Sequence, residues 1–177
     1  DKTFCRSRYK DTWRMVSPHY IVMGVAGCGK TTIGSKLARS LGVLFLDADD
    51  FHPEANLKKM SSGTPLDDSD RIPWLEILRE ELRSNRGCVL ACSALKQNYR
   101  SMLEDTDRDT VFILLDISKE TARCRLRSRA KHFMPETLVD SQFDNLERPT
   151  DALVVDAEAP VNSVLEVILR KISRGVF

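Results

Sequence analysis

The sequence predicts an α/β fold: a three-layer α/β/α sandwich with a parallel sheet of about five strands. Two observations predict it. Short continuous apolar runs alternate along the chain with segments of helical spacing, and a parallel sheet with right-handed crossover helices requires that alternation. A glycine-rich loop also stands between the first apolar run and the first helical segment, where such folds bind ligands.

The strands are predicted from five apolar runs, at residues 20–25, 43–46, 88–92, 111–115 and 153–155. Each run is continuous, which is typical of strands buried on both faces. Ligands bind at the carboxyl ends of strands in doubly wound sheets. Four of the runs end in small or polar residues, so we expect the functional site there: Gly24, Asp47 with Asp49, Ser93, and Asp156.

The helices are predicted from apolar residues three or four positions apart. Three sets stand out: Ile33, Leu37 and Leu41; Trp74, Leu78 and Leu82; and Val161, Val164, Leu165 and Ile168. We expect the second helix to begin near Pro73, because proline is tolerated in a first turn. The stretch from Asp67 to Asp70 would then cap it.

The length and composition indicate one domain, at residues 17–177, that can bury a single core. Residues 1–16 are predicted to be an N-terminal appendage, disordered or foreign to the native chain, and an organelle address is the less favoured interpretation. The formal net charge of +1 gives no broad attraction to nucleic acid or membrane surfaces. The apolar runs are far shorter than the roughly 20 residues that cross a bilayer.

The five cysteines form neither a C-x-x-C pair nor an array with metal spacing. This usage favours a reducing, cytoplasmic setting. The net charge of +1 and the short apolar runs, in turn, lead us to expect no nucleic-acid and no membrane partner.

A phosphate-binding loop is predicted between the first strand and the first helix, because its residues match G-x-x-x-x-G-K-[ST]. Its glycines allow backbone N–H groups to approach phosphate oxygens, and the following helix points its positive end at them. Lys30 should reach the β- and γ-phosphates of ATP, and Thr31 should bind Mg²⁺. The nucleotide-binding candidates are Gly24, Val25, Ala26, Gly27, Cys28, Gly29, Lys30, Thr31 and Thr32.

Asp47 and Asp49 follow the second strand, and in extended backbone their side chains would point the same way. One carboxylate can support Mg²⁺ while the other accepts the proton of an attacking hydroxyl. Asp116, after the fourth strand, is a rival metal carboxylate that the pattern alone does not rank. The arginines of the basic stretch 123–132 favour a lid that closes over the phosphates, although a solvated helix face remains the alternative.

Taken together, these motifs closely resemble the gluconokinase family. The resemblance runs in order from about residue 20 to the last helix. It rests on the phosphate loop, on Asp47 and Asp49 with His52, on the blocks 65–75 and 92–100, on His132 with Phe133, and on Gln142, Phe143, Leu146, Glu147 and residues 154–156. Two departures occur: Lys131 stands where the family commonly has glycine, and Asp67 where it has asparagine.

The resemblance implies a P-loop fold like that of shikimate and nucleoside monophosphate kinases, with a helical lid. It implies ATP-dependent, Mg²⁺-assisted phosphorylation of D-gluconate at its 6-hydroxyl, in gluconate catabolism feeding the pentose phosphate pathway, by a homodimer. Asp47 would support Mg²⁺ and Asp49 would act on the acceptor hydroxyl, or the reverse. Arg71 would bind the gluconate carboxylate, since a guanidinium pairs with it bidentately. Further candidates for substrate contact are His52, Lys96 and His132, and Arg125 and Arg129 are the candidate lid arginines.

Two other functions compete with this hypothesis. The chain could be another small-molecule kinase of the same fold, acting on shikimate or a nucleotide, but the blocks 65–75 and 92–100 are not typical of those enzymes. It could instead be a nucleotide-dependent switch, yet the sequence contains no N-K-x-D motif for guanine recognition.

Overall fold

The structure, a computed structural model, describes residues 17–104, 108–128 and 136–175, without the side chains of residues 136–138. The predicted appendage at residues 1–16 lies outside the described residues.

One parallel sheet of five strands forms within this part of the chain, in the order β2-β3-β1-β4-β5. The strands match the five predicted runs: β1 His19–Met23, β2 Leu44–Asp47, β3 Cys88–Ala91, β4 Thr110–Asp116 and β5 Leu153–Asp156. In the β1–β3 pair Tyr20 lies opposite Val89, and in the β1–β4 pair it lies opposite Val111. The α/β class and the strand count are confirmed.

The prediction that every strand is buried on both faces holds for the inner strands and is wrong for the edges. β1 and β3 are buried along their whole length, whereas Leu44 of β2 and Val154 of β5 are exposed. Both strands lie at an edge of the sheet, where each pairs with only one neighbouring strand. The apolar runs are continuous there without being fully buried.

The described residues contain seven α-helices and one 3₁₀ helix. The α-helices are α1 Lys30–Leu41, α2 Glu54–Ser61, α3 Asp68–Ser84, α4 Gln97–Leu103, α5 Lys119–Arg127, α6 Glu136–Asp144 and α7 Val161–Ser173, and the 3₁₀ helix is Ala48–Phe51. α1, α3 and α7 confirm the three predicted helices. α2, α4, α5 and α6 are shorter and carry too few turns for a clear apolar period.

Helix α3 begins at Asp68 and not near Pro73 as predicted. Asp67 and Asp70 form a capping box, in which each side chain accepts a hydrogen bond from the other residue's backbone N–H. This reciprocal cap satisfies two donors of the first turn. The helix therefore starts five residues earlier and carries Pro73 inside its second turn.

Two hydrophobic clusters lie on opposite faces of the sheet. One joins α1, α5 and α7 to the sheet through residues such as Leu37, Leu126 and Ile168. The other joins α3 and α4 through Leu78 and Leu103. Buried apolar surface of this extent on both faces is what stabilises a three-layer sandwich. Among the described helices, none has the length and apolar character that crossing a bilayer demands.

Candidate active site

The glycine loop connects β1 to α1, and its backbone requires glycine at both ends. Gly24 has a φ of 136°, and a Cβ there would lie 2.9 Å from both the Leu115 carbonyl oxygen and Cys28 Sγ. Gly29 has a φ of 100° and precedes α1 as its N-cap, and no side chain of the described residues caps this helix. The first N–H groups of α1, at Lys30, Thr31 and Thr32, are therefore placed to bind an anion.

The middle of the loop packs against the protein. Val25 and Cys28 are buried, so the Cys28 thiol serves packing. The backbone N–H of Ala26 donates to Gln142 Oε1 at 2.6 Å, over a separation of 116 positions. Helix α6 thus holds the phosphate loop through Gln142, to which the sequence assigned no role.

Lys30 and Thr31 lie where the motif predicts them. Lys30 Nζ donates to the carbonyl oxygens of Gly24 at 3.1 Å and Val25 at 3.0 Å, so its charge lies over the loop. The Thr31 hydroxyl donates to Asp47 Oδ2 at 2.8 Å. The structure therefore brings together the two residues that the sequence proposes as the metal site.

The Thr31–Asp47 pair fits Mg²⁺. A hydroxyl and a carboxylate are hard oxygen donors, and Mg²⁺ in kinases is usually held by one or two protein oxygens, substrate phosphates and water. The described residues contain no group of three or more His, Cys, Asp or Glu side chains that could hold a metal. A pair of protein oxygens suits an ion whose remaining ligands are nucleotide phosphates and water.

The backbone after Asp47 is not extended, so the prediction of two carboxylates along one strand is wrong in its geometry. β2 ends at Asp47, whose Oδ1 accepts a hydrogen bond of 3.2 Å from the Asp49 N–H and caps the 3₁₀ helix. The side chain of Asp49 is 88% exposed, and its Oδ1 lies 4.0 Å from His52 Nε2. An aspartate that accepts from the N–H two residues on favours this turn over continued strand.

Cys92, which follows β3, is a buried cysteine near three of the predicted catalytic groups. Burial raises the pKa of its thiol to about 12, while the charges of Lys30, Asp49 and Asp47 also act on it. Coulomb interactions of this kind require short distances. Lys30, Asp47 and Asp49 are therefore near enough to Cys92, just after β3, for their charges to act on its thiol. Burial keeps that thiol protonated, so it serves packing.

Four side chains from α3 and the N-terminus of α4 form a cluster that we call the acceptor cluster: Asp68, Arg71, Lys96 and Tyr99. The Arg71 guanidinium lies 5.8 Å from the centroid of the Tyr99 ring, and Lys96 Nζ lies 5.5 Å from it. Lys96 Nζ donates to Asp68 Oδ1 at 2.9 Å, and the Tyr99 hydroxyl donates to the same oxygen.

The electrostatics of the acceptor cluster favour an anion. The Lys96 ammonium and the Tyr99 hydroxyl hold the pKa of Asp68 below its usual value, and Asp68 in turn raises the pKa of Lys96. At neutral pH two cations face one carboxylate. The cluster therefore keeps one positive charge in excess, which suits a carboxylate ligand.

His52 links the acceptor cluster to Asp49. Its ring stacks on Trp74 with centroids 4.3 Å apart and planes at 12°. Trp74 is itself fixed, since its Nε1–H donates to the Ala48 carbonyl at 2.9 Å. Burial lowers the pKa of His52, Asp49 opposes this by raising it, and Arg71 lowers it further. The candidate base Asp49 and the candidate carboxylate-binding Arg71 thus both act on the His52 ring.

Asp116, the rival metal carboxylate, is occupied by another partner. Arg148 Nη2 donates to its two carboxylate oxygens at 2.7 and 2.9 Å. Its charge is therefore neutralised locally, whereas Asp47 contacts the phosphate-loop threonine. This geometry favours Asp47 for the metal.

The predicted lid residues are only partly described. Arg125 lies in the last turn of α5, and its Nη2 donates to the Ala157 carbonyl after β5 at 2.8 Å. Arg123, in the same helix, pairs with Asp140 of α6 at 2.7 Å. Arg129, His132 and Lys131 lie outside the described residues. The contact of Arg125 and Arg129 with ATP phosphates and that of His132 with substrate stay predictions.

The sequence assigned no role to four residues that complete the site: Asn56, Asp68, Tyr99 and Gln142. Asp68 and Tyr99 stand within the recognised blocks, but an acidic residue at a helix start reads as a cap. Asn56 is buried and donates to the Asp70 carbonyl at 3.0 Å. No local signal identifies these contacts, because each joins residues from different elements.

Comparisons with known proteins agree with this geometry. The family model described as shikimate kinase matches residues 26–172. The gluconokinase of Gluconobacter oxydans is 44% identical, over 85% of this chain and 88% of its own, and the thermosensitive gluconokinase of Escherichia coli (strain K12) is 42% identical over 86% of each. The chain belongs to the gluconokinase family.

A solved structure supports the same membership. The crystal structure of a gluconokinase from Sinorhizobium meliloti 1021 matches with a TM-score of 0.83 and 35% identity, over 91% of this chain and 94% of that one. The family resemblance and the P-loop kinase fold predicted from the sequence are thereby confirmed.

Proposed function

We propose that this member of the gluconokinase family transfers the γ-phosphoryl group of ATP to the 6-hydroxyl of D-gluconate, yielding 6-phospho-D-gluconate and ADP. The observation that carries the proposal is the position of Asp49. Its backbone N–H donates to Asp47, which accepts from Thr31 of the phosphate loop. Its carboxylate lies 4.0 Å from His52, a ring on which the charge of Arg71 also acts. A phosphate donor and a carboxylate-bearing acceptor thus have adjacent sites.

The reaction needs positioning more than covalent chemistry. Asp49 accepts the proton of the 6-hydroxyl as the hydroxyl oxygen forms its bond to the γ-phosphorus, and the bond to the β,γ-bridging oxygen breaks, leaving ADP. Lys30, now over the loop carbonyls, stabilises the negative charge of the transferring group. Thr31 and Asp47 would hold Mg²⁺, which when bound would neutralise part of the negative charge of the nucleotide phosphates.

Substrate selection is assigned to the acceptor cluster. Arg71 Nη1 donates to the Leu66 carbonyl at 2.5 Å, which orients the guanidinium and leaves its outer nitrogens for a carboxylate. Lys96 is held by Asp68 at the same cluster, so a gluconate carboxylate would meet two fixed cations. A neutral hexose offers no partner for that charge and should bind weakly.

Coupled ADP release, measured with Mg²⁺ and ATP against gluconate, shikimate, glucose, AMP and no acceptor, tests the proposal. We expect turnover with gluconate, none with Lys30→Ala, and a fall in kcat of about 10²- to 10⁴-fold in Asp49→Asn with nucleotide affinity unchanged. Preference for another acceptor would reject the substrate, and turnover without an acceptor would reject phosphoryl transfer in favour of a nucleotide switch.

Use of Mg²⁺, assembly as a homodimer and a cytoplasmic location stay predictions. A titration of Mg²⁺ in the same assay tests the first prediction. A measurement of the mass of the full chain in solution tests the second.

A further inference from the structure

His52 is an almost fully buried polar side chain within an otherwise open site. Its side chain is 5% exposed, whereas that of Asp49 beside it is 88% exposed. The stack on Trp74 fixes the plane of the ring, and Trp74 is anchored to the Ala48 carbonyl. The two ring nitrogens consequently have defined surroundings, one facing Asp49 and the other facing Asn56.

Asn56 determines which ring nitrogen carries the proton. Asn56 is 4% exposed, and its Nδ2 donates to the Asp70 carbonyl at 3.0 Å. A carbonyl oxygen only accepts, so this contact fixes which end of the amide is the NH₂ group. The second hydrogen of that group points to His52 Nδ1, 3.4 Å away. Nδ1 therefore accepts, and a neutral ring has its proton on Nε2.

The Nε2–H faces the carboxylate that acts as base under the proposed function. Asp49 Oδ1 is 4.0 Å from Nε2, a gap that a small rotation of the exposed Asp49 side chain closes to hydrogen-bond distance. An exposed carboxylate samples several rotamers, and a fixed donor beside it selects one of them.

We infer that Asn56 and His52 are positioning residues for Asp49: Asn56 fixes the Nε2–H tautomer of His52, and His52 orients the Asp49 carboxylate toward the acceptor hydroxyl. The inference rests on the proposed function for the role of Asp49. The tautomer itself follows from the contacts of Asn56 alone, so the two parts fail separately.

A purely structural role for Asn56 gives a different expectation. The Asp70 contact ties α2 to the start of α3, as does the pairing of Lys59 with Asp70. If that were its whole contribution, Asn56→Leu would lower stability and leave the His52 tautomer and kcat of the folded enzyme unchanged. Positioning instead predicts a change in both of these quantities.

Long-range ¹H–¹⁵N NMR of the imidazole rings in the full chain reads the tautomer directly, with the His52 signals assigned by their loss in His52→Gln. We expect the Nε2–H form in the wild type and a mixture in Asn56→Leu. Asn162→Leu, at an exposed asparagine on α7, is the matched control and should leave the spectrum unchanged. An Nδ1–H form in the wild type would overturn the inference without any variant.

Kinetics with gluconate complete the test. We expect Asn56→Leu to lower kcat about tenfold and to leave the KM for ATP unchanged. Loss of a residue that orients a functional side chain typically lowers activity by about 10- to 100-fold. His52→Phe keeps a ring for Trp74 but has no N–H, so it should lose as much, and His52→Gln should recover part because its amide donates. A folded His52→Phe enzyme with unchanged kcat for gluconate would refute the positioning role. The proposed function itself would stand, because the enzyme would still phosphorylate gluconate.

Discussion

The hydroxyl of Thr31 donates a hydrogen bond of 2.8 Å to Asp47 Oδ2, joining the first turn of α1 to the carboxyl end of β2. Lys30, the residue before Thr31, directs its ammonium to the loop carbonyls of Gly24 and Val25. Helix α1 follows β1, and β3 lies between β1 and β2 in the sheet. The contact therefore joins segments that belong to two strands that are not neighbours. It defines the edge at which nucleotide and metal would meet.

Asp47→Ala should raise the Mg²⁺ concentration needed for half-maximal activity by about 10- to 100-fold, as is typical for residues that support a metal. The measurement is initial rate against free Mg²⁺ at saturating ATP and gluconate. Asp50→Ala is the control, since Asp50 is exposed in the same 3₁₀ helix and should leave the Mg²⁺ curve in place. An unchanged curve for Asp47→Ala would transfer the metal role to another residue, with Asp116 as the next to test.

Arg71→Ala should raise the KM for gluconate by about 10- to 100-fold, the loss expected for a charged hydrogen bond worth about 1.5–3 kcal/mol. The KM for ATP should not change, because Arg71 contacts the acceptor cluster and not the phosphate loop. Arg83→Ala is the matched control: it removes the same charge from an exposed position of α3. Equal gluconate KM in both variants would reject Arg71 as the carboxylate ligand.

Gln142→Met should raise the KM for ATP about tenfold and leave the KM for gluconate unchanged. Methionine matches the length of glutamine but cannot accept the hydrogen bond from the Ala26 N–H, so the loop loses its tie to α6 and a partly buried donor loses its partner. Separate titrations of ATP and gluconate give the two constants. Asn145→Met, at an exposed position just after α6, should behave as the wild type. A rise confined to the gluconate KM would contradict the role assigned to Gln142.

Asp67→Asn should reduce stability at neutral pH and should cease to do so in acid. Ser69 and then Lys59 donate hydrogen bonds that hold the pKa of Asp67 well below its ordinary value of 3.8. A carboxyl group with a lowered pKa in the folded state contributes stability above its unfolded pKa, and that contribution is lost as the pH falls through the folded pKa. Asparagine preserves the cap, so the ionic part alone is removed.

Urea unfolding of wild type and Asp67→Asn across the acid range measures this effect. The two midpoints should differ at neutral pH and converge as the pH falls below 3.8, the ordinary pKa of the group. A difference that stayed constant with pH would mean that the charge of Asp67 contributes nothing.

Much of the fold follows from local pattern. The apolar runs located all five described strands, and the glycine spacing located the loop, because a buried parallel sheet needs continuous apolar residues and a phosphate loop needs glycines. The start of α3 was missed because the Asp67–Asp70 capping box outweighs the helix-starting preference of Pro73. The prediction overestimated the burial of β2 and β5, because the apolar pattern of one strand does not indicate whether that strand lies at the centre or at the edge of the sheet.

The sequence by itself determined the α/β class, the nucleotide loop and the residue types of the site, including Lys30, Thr31, Asp47 and Arg71. The tertiary structure alone decided how they pair: Thr31 with Asp47, Arg148 with Asp116, and Gln142 with Ala26. Local patterns reflect backbone preference and burial, which act over a few residues. These three contacts join residues 16 to 116 positions apart. Such residues become neighbours only when the strands and helices pack into one core.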